Sequence, residues 1–94
     1  MSTFKREEFS KLINTIKDKT DSFRTVKKSE RLLILAEIKG MEIVFQSLNN
    51  GDELFYKLNL IIECLSEQDY YTASEYAKEL YMDKERYFNS IGGK

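Results

Sequence analysis

An all-α fold is what this sequence predicts: a four-helix antiparallel up-down bundle, with residues 1-94 forming a single helical domain around an apolar second helix. Three observations carry that expectation. The chain has no proline and only four glycines in 94 residues, so little in it breaks a helix. Apolar residues recur at helical spacing along most of its length. Finally, Leu32, Leu33, Ile34, Leu35, Ala36, Ile38, Met41, Ile43, Val44, Phe45 and Leu48 crowd into one short stretch. Wound at about 100° per residue, Arg31, Lys39, Glu42 and Gln46 of that stretch fall on one narrow polar stripe, and apolar side chains cover most of the remaining circumference. A helix of this kind is expected to be wrapped by others. It is too short, and too interrupted by Glu37, Lys39 and Glu42, to cross a bilayer, which needs roughly 20 nearly uncharged residues. A domain of this length can bury about two-thirds of its unfolded surface without disulfides.

Taken in order, Ser2 or Thr3 is placed to cap a first helix that has Glu7 and Glu8 near its positive end and Lys17 and Lys19 near its negative end. Phe9, Leu12, Ile13 and Ile16 give it one apolar face. Residues 20 to 28 lose the periodicity and read as a connection with Phe23 and Val26 tucked inward. Ser29 is the expected cap of the central helix. Asn49-Asn50-Gly51-Asp52 is the clearest punctuation in the chain, with Asp52 expected to cap a third helix over residues 53 to 66. There Leu54, Leu58, Ile61 and Leu65, widened by Phe55 and Ile62, make the stripe that faces the central helix. After Glu67-Gln68-Asp69, a fourth helix is expected from Tyr70 to Ile91, stopped by Gly92-Gly93. Its inward face would be Tyr70, Ala73, Tyr76, Ala77, Leu80, Tyr81, Tyr87, Phe88 and Ile91. Lys84 falls on that face, so either its amine reaches out to solvent or the helix leaves the bundle after Asp83.

The net charge of −1 hides an uneven distribution: residues 1 to 39 carry +4 and residues 40 to 94 carry −5. The basic excess is a patch of Lys17, Lys19, Arg24, Lys27, Lys28 and Arg31 around the first connection. Such a patch suits a nucleic acid, an acidic protein or an anionic lipid, and is also an ordinary solvated loop and helix end. The lone Cys64 forms no internal disulfide, and the chain opens without an apolar signal segment, so a reducing, cytoplasmic setting is expected.

Two resemblances bear on function. Phe55, Leu58 and Asn59, followed by Asp69-Tyr70, Ala73, Tyr76 and Ala77, resemble the helix pair of a tetratricopeptide repeat, which implies peptide binding in a stacked array. The likeness covers about thirty residues, and a solitary repeat cannot bury its own faces. Leu35-Ala36-Glu37-Ile38-Lys39-Gly40-Met41, continuing to Ser47 and Leu48, is similar to the Ala-x-x-x-Gly turn of helix-turn-helix DNA-binding domains. That resemblance implies a recognition helix after Gly40, but Glu42-Ile43-Val44-Phe45-Gln46-Ser47 offers an acid and apolar groups where base readers are needed.

Chemistry is thinly provided for. With no histidine and one cysteine there is no metal-ligand cluster, Cys-His or Ser-His pair, or phosphate loop, so no enzyme and no cofactor is expected. Glu37 alone projects into the apolar arc of the central helix, between Val44 and Leu48. It reads either as a general acid or as a carboxylate bonded to a tyrosine or a basic residue within the bundle. What remains is surface. Leu35 lies on the polar stripe, Tyr56 and Leu60 lie off the main stripe of the third helix, and Tyr71 and Met82 lie on the outer face of the fourth. Twelve Tyr and Phe residues in a chain without catalytic apparatus suit a binding surface. The expected function is therefore a small non-enzymatic protein-protein interaction factor, of inhibitor, adaptor or immunity type. Lys outnumbers Arg eleven to four and Ala is scarce, a composition suggesting a bacterial or phage source; bacteriocin immunity proteins are similar in size and bundle form. The partner would be another protein or a second copy of the chain. The alternatives are a nucleic-acid-binding regulator that uses the basic connection, and the tetratricopeptide-like peptide-binding hairpin.

Overall fold

Helices account for nearly all of the computed structural model, which describes residues 5–92: α1 (Arg6–Ser22), a 3-10 turn (Phe23–Thr25), α2 (Lys28–Gln46), α3 (Asp52–Ser66), α4 (Tyr70–Met82) and α5 (Lys84–Ser90). No strand occurs among the described residues. α1 begins with Lys5 at the N-cap and Glu7 and Glu8 in its first turn. Ser2 and Thr3, expected to cap it, lie outside the described residues. Phe9, Ile13 and Ile16 are buried as their spacing requires, with Leu12 packed beside them. The helix continues through Thr20, Asp21 and Ser22, which were expected in the connection. The Lys17–Asp21 ion pair at 2.7 Å, one turn apart, spans this last stretch.

Phe23 is buried in the connection and Val26 packs against the core, as expected. Arg31 secures the turn: its Nε donates to the Phe23 carbonyl at 3.0 Å and its Nη2 to the Arg24 carbonyl at 2.7 Å. The guanidinium also lies 5.5 Å from the Phe23 ring centre and 5.9 Å from that of Tyr70. α2 starts earlier than Ser29 implies, with extended Lys27 at the N-cap and no side-chain cap. It then runs unbroken through Gly40 to Gln46, so the helix-turn-helix bend is absent.

The α2–α3 turn is where its residues place it. Asn50 adopts the left-handed region at φ 61°. Gly51 is buried so close to α2 that a Cβ there would lie 1.9 Å from the Phe45 carbonyl oxygen, which excludes any side chain. Gly51, not Asp52, occupies the N-cap, and Asp52 and Glu53 fill the first turn of α3. Leu54, Leu58, Ile61 and Leu65 are all buried. Asp69 caps α4, its Oδ1 accepting from the Thr72 amide at 3.3 Å.

The expected helix from Tyr70 to Ile91 is broken at Asp83, giving five α-helices among the described residues. Lys84 supplies the physical reason. Its amine donates to Ser10 Oγ at 3.1 Å and Asn14 Oδ1 at 3.3 Å, both on α1, and lies 4.6 Å from the centre of the Tyr81 ring. Tyr81, expected inward, is exposed. Past the break, Tyr87, Phe88 and Ile91 enter the core. The Phe9 ring sits 5.6 Å from that of Phe88 and 6.0 Å from that of Phe45. Gly92, at φ 81°, follows α5; Gly93 lies outside the described residues.

α2 packs along α3, α3 along α4, and α4 along α1, whereas α1 and α2 meet far less. The second helix is therefore not wrapped. Ile34, Ile38 and Phe45 are buried, but Leu32, Leu33, Ile43 and Val44 face solvent. Its orientation also differs from the expected one. Glu42, assigned to the outer polar stripe, is buried, while Leu35 and Arg31 from the same stripe are half-buried. A helix apolar on nearly all sides sets its own phase only weakly, so packing against α3 decides which face turns in.

Candidate interaction surface

The largest departure from an ordinary soluble surface lies on α2. Leu32 is 70% exposed, Leu33 64%, Ile43 57% and Val44 45%. With exposed Ala36 and Gly40 between them, these residues fall within an arc of about 120°. The face continues into two hollows along the seam between α1 and α2. One, of about 370 Å³, is lined by Leu12, Glu37, Gly40, Met41, Val44 and Phe45. The other, of about 410 Å³, is lined by Asp18, Lys19, Ser22, Val26, Glu30, Leu33, Ile34 and Glu37. Glu37 stands between them, bridging the seam to Lys19 at 3.1 Å. It is exposed rather than buried, which does not suit a general acid, and its partner is a basic residue of the neighbouring helix, as the second expected reading has it, though at the surface. The seam combines apolar walls with the Glu37–Lys19 bridge and, in the second hollow, the carboxylates of Asp18 and Glu30.

The buried carboxylate is Glu42, which is 1% exposed. Its Oε1 accepts from Lys39 Nζ at 2.9 Å, and its Oε2 has no hydrogen-bond partner among the described residues. Lys39 itself reaches solvent, so the pair connects the α2–α3 interior to water.

The other expected contact residues are scattered. Tyr71 and Met82 are exposed on α4 but stand about 16 Å apart along the helix, with the exposed charges of Glu75, Lys78 and Glu79 between them. Tyr56 is exposed and Leu60 half-buried on α3. Leu35, expected outward, packs against the core because α2 is turned. Within the basic patch, Lys17 is paired with Asp21, Lys19 with Glu37, and Arg31 holds the connection, leaving Arg24, Lys27 and Lys28 as its exposed members without an ion pair among the described residues. The Asp21 hydrogen bond pushes the Lys17 amine above its ordinary pKa.

Leu32, Leu33, Ile43 and Val44 escaped the sequence reading as surface residues because their apolarity marked them as core. The sequence signal that identifies them is the same one: a helix apolar on two faces, of which α3 covers one among the described residues. Among the described residues no group of three or more His, Cys, Asp or Glu side chains could hold a metal ion, and no helix is long and apolar enough to cross a membrane. No protein-family model, curated protein or solved structure matches the chain.

Proposed function

We propose that this chain is a small non-enzymatic interaction factor, of inhibitor, adaptor or immunity type, whose working surface is the outer face of α2 with the adjoining α1/α2 seam. On this reading α1 to α4 form an antiparallel up-down bundle left open at that seam. The observation that carries it is the exposure of Leu32, Leu33, Ile43 and Val44 on one helix. Together they present on the order of 400 Å² of apolar surface, comparable to the largest patch on ordinary monomers, which is often a binding site. Anchors of this kind hold a partner when desolvated, while rim charges such as Arg24, Lys27 and Lys28 govern encounter.

The test is capture from cells that make the protein, using wild type and three variants. Leu33→Glu/Val44→Glu should lose the captured partner; Tyr71→Ser/Met82→Ser should retain it. Neutralising Arg24, Lys27 and Lys28 should change mainly the salt-dependent association rate. Retention by the α2 variant, with loss on neutralising the basic residues and a salt slope that falls by about one per contact removed, would point to nucleic acid instead.

A further inference from the structure

We infer that the outer face of α2 is covered by the α2 of a second copy of this chain, packed antiparallel about a two-fold axis that passes between Ala36 and Gly40. This identifies the partner for the surface proposed above and rests on that reading. The first argument is the ends of the helix. Lys27 and Lys28 sit at the N-cap and first position of α2, where the backbone dipole is positive; no side chain caps that end, and the last turn holds no basic residue. Glu30 in the first turn offsets part of this at the amino end, against two lysines, and the carbonyl end has no such charge in its own last turn. An antiparallel copy corrects both at once. It lays Lys27 and Lys28 beside the carbonyl end of the other α2, close to Asp52 and Glu53, which begin the other α3.

The second argument is register. Ser29, Leu33, Ala36, Gly40, Ile43 and Ser47 alternate at spacings of four and three, the seam pattern of paired helices. Antiparallel pairing about residue 38 sets Leu33 against Val44, Leu32 against Ile43, and Ala36 against Gly40 of the second copy. The small pair at the axis lets the backbones approach, and nothing lies within 4 Å of a Cβ added at Gly40, so this glycine is not required by the chain's own packing. Two like-charge pairs fall near the axis, Glu37 with Glu37 and Lys39 with Lys39. Each is already neutralised within its own chain, by Lys19 at 3.1 Å and by Glu42 at 2.9 Å. The four apolar side chains supply about half of the roughly 800 Å² per partner that a standard interface buries. The small residues and the seam rim can supply the rest.

Sedimentation equilibrium of the full chain over micromolar concentrations tests the inference. Wild type should approach twice the 11.1 kDa chain mass. Leu33→Glu and Val44→Lys should each weaken association at least about ten-fold. An equimolar mixture of the two should recover it. In the antiparallel heterodimer the carboxylate introduced at position 33 of one chain meets the amine introduced at position 44 of the other, and the second contact remains the native Leu33–Val44 pair. Gly40→Leu guards against unfolding as the cause, since it strengthens the helix of the monomer yet blocks the crossing. A wild type that stays monomeric overturns the self-partner while leaving the α2 surface to the capture experiment. A dimer indifferent to all three variants is built on another face and overturns the α2 self-pairing, and a mixture that fails to recover overturns the antiparallel register.

Discussion

Truncating Phe45 to alanine should cost about 3–5 kcal/mol of folding stability, whereas Leu33→Ser, three turns earlier on the same helix, should cost less than about 1 kcal/mol in the dilute chain. Phe45 is fully buried, meets the Phe9 ring edge-on at 6.0 Å, and has Gly51 folded against its carbonyl. Its loss removes a large apolar side chain, leaves a cavity that the close α2–α3 approach cannot collapse into, and gives up an aromatic pair contributing about 0.5–1.5 kcal/mol. Leu33 has 64% of its surface in water, so only about a third of a leucine's burial is at stake, plus a few tenths for the poorer helix former. A domain of this size has roughly 5–10 kcal/mol in total. Phe45→Ala should therefore lower Tm by about 15–30 °C, and Leu33→Ser by only a few degrees. Urea titration followed by far-ultraviolet circular dichroism, at several chain concentrations, gives both numbers. A dimer adds a concentration-dependent increment to wild type that Leu33→Ser lacks. Costs of similar size for the two variants at the lowest concentration would show that Leu33 lies in the core and refute the two-faced account of α2.

Three further outcomes follow from buried polar groups. Burial, with Glu53 accepting from its hydroxyl at 3.3 Å, pushes the Tyr87 phenol above its ordinary pKa of about 10. The folded state thus keeps a proton that the unfolded chain releases, so stability should be complete below about pH 10 and fall as pH rises further; alkaline unfolding curves of wild type and Tyr87→Phe should diverge there. Burial, reinforced by Asp69, Glu67 and Glu63, likewise pushes the Cys64 thiol up, so alkylation near pH 7.5 should be slower than for a free cysteine and should accelerate on adding urea. Lys39→Ala strands the Glu42 carboxylate and should cost about 1–2 kcal/mol, whereas Lys39→Ala combined with Glu42→Met should recover most of that loss in the same urea titration.

Much of the fold was legible because local chemistry and tertiary packing agree. In α3, Leu54, Leu58, Ile61 and Leu65 form one stripe on an otherwise polar helix, and burying that stripe is the only arrangement that keeps Glu53 and Glu63 in water. Asn50 and Gly51 stop α2 for reasons written in their own backbones. The orientation of α2 was not legible, because its narrow polar stripe is weaker than the packing that opposes it. Arg31 can turn inward since the Phe23 and Arg24 carbonyls and the Tyr70 ring receive its guanidinium, and Glu42 can turn inward since Lys39 reaches one oxygen. With both polar groups accommodated, the helix is free to bury Ile34, Ile38 and Phe45 against α3 and α1. The cost is transferred to the opposite face, where Leu32, Leu33, Ile43 and Val44 meet water. Exposed apolar side chains scattered singly are ordinary, but four on one helix face, aligned with Ala36 and Gly40, leave the burial that the sequence calls for incomplete within the described chain. The expectation that this helix is covered on every side is not met within the described residues, and the part that α3 leaves open is the surface proposed above as the binding face.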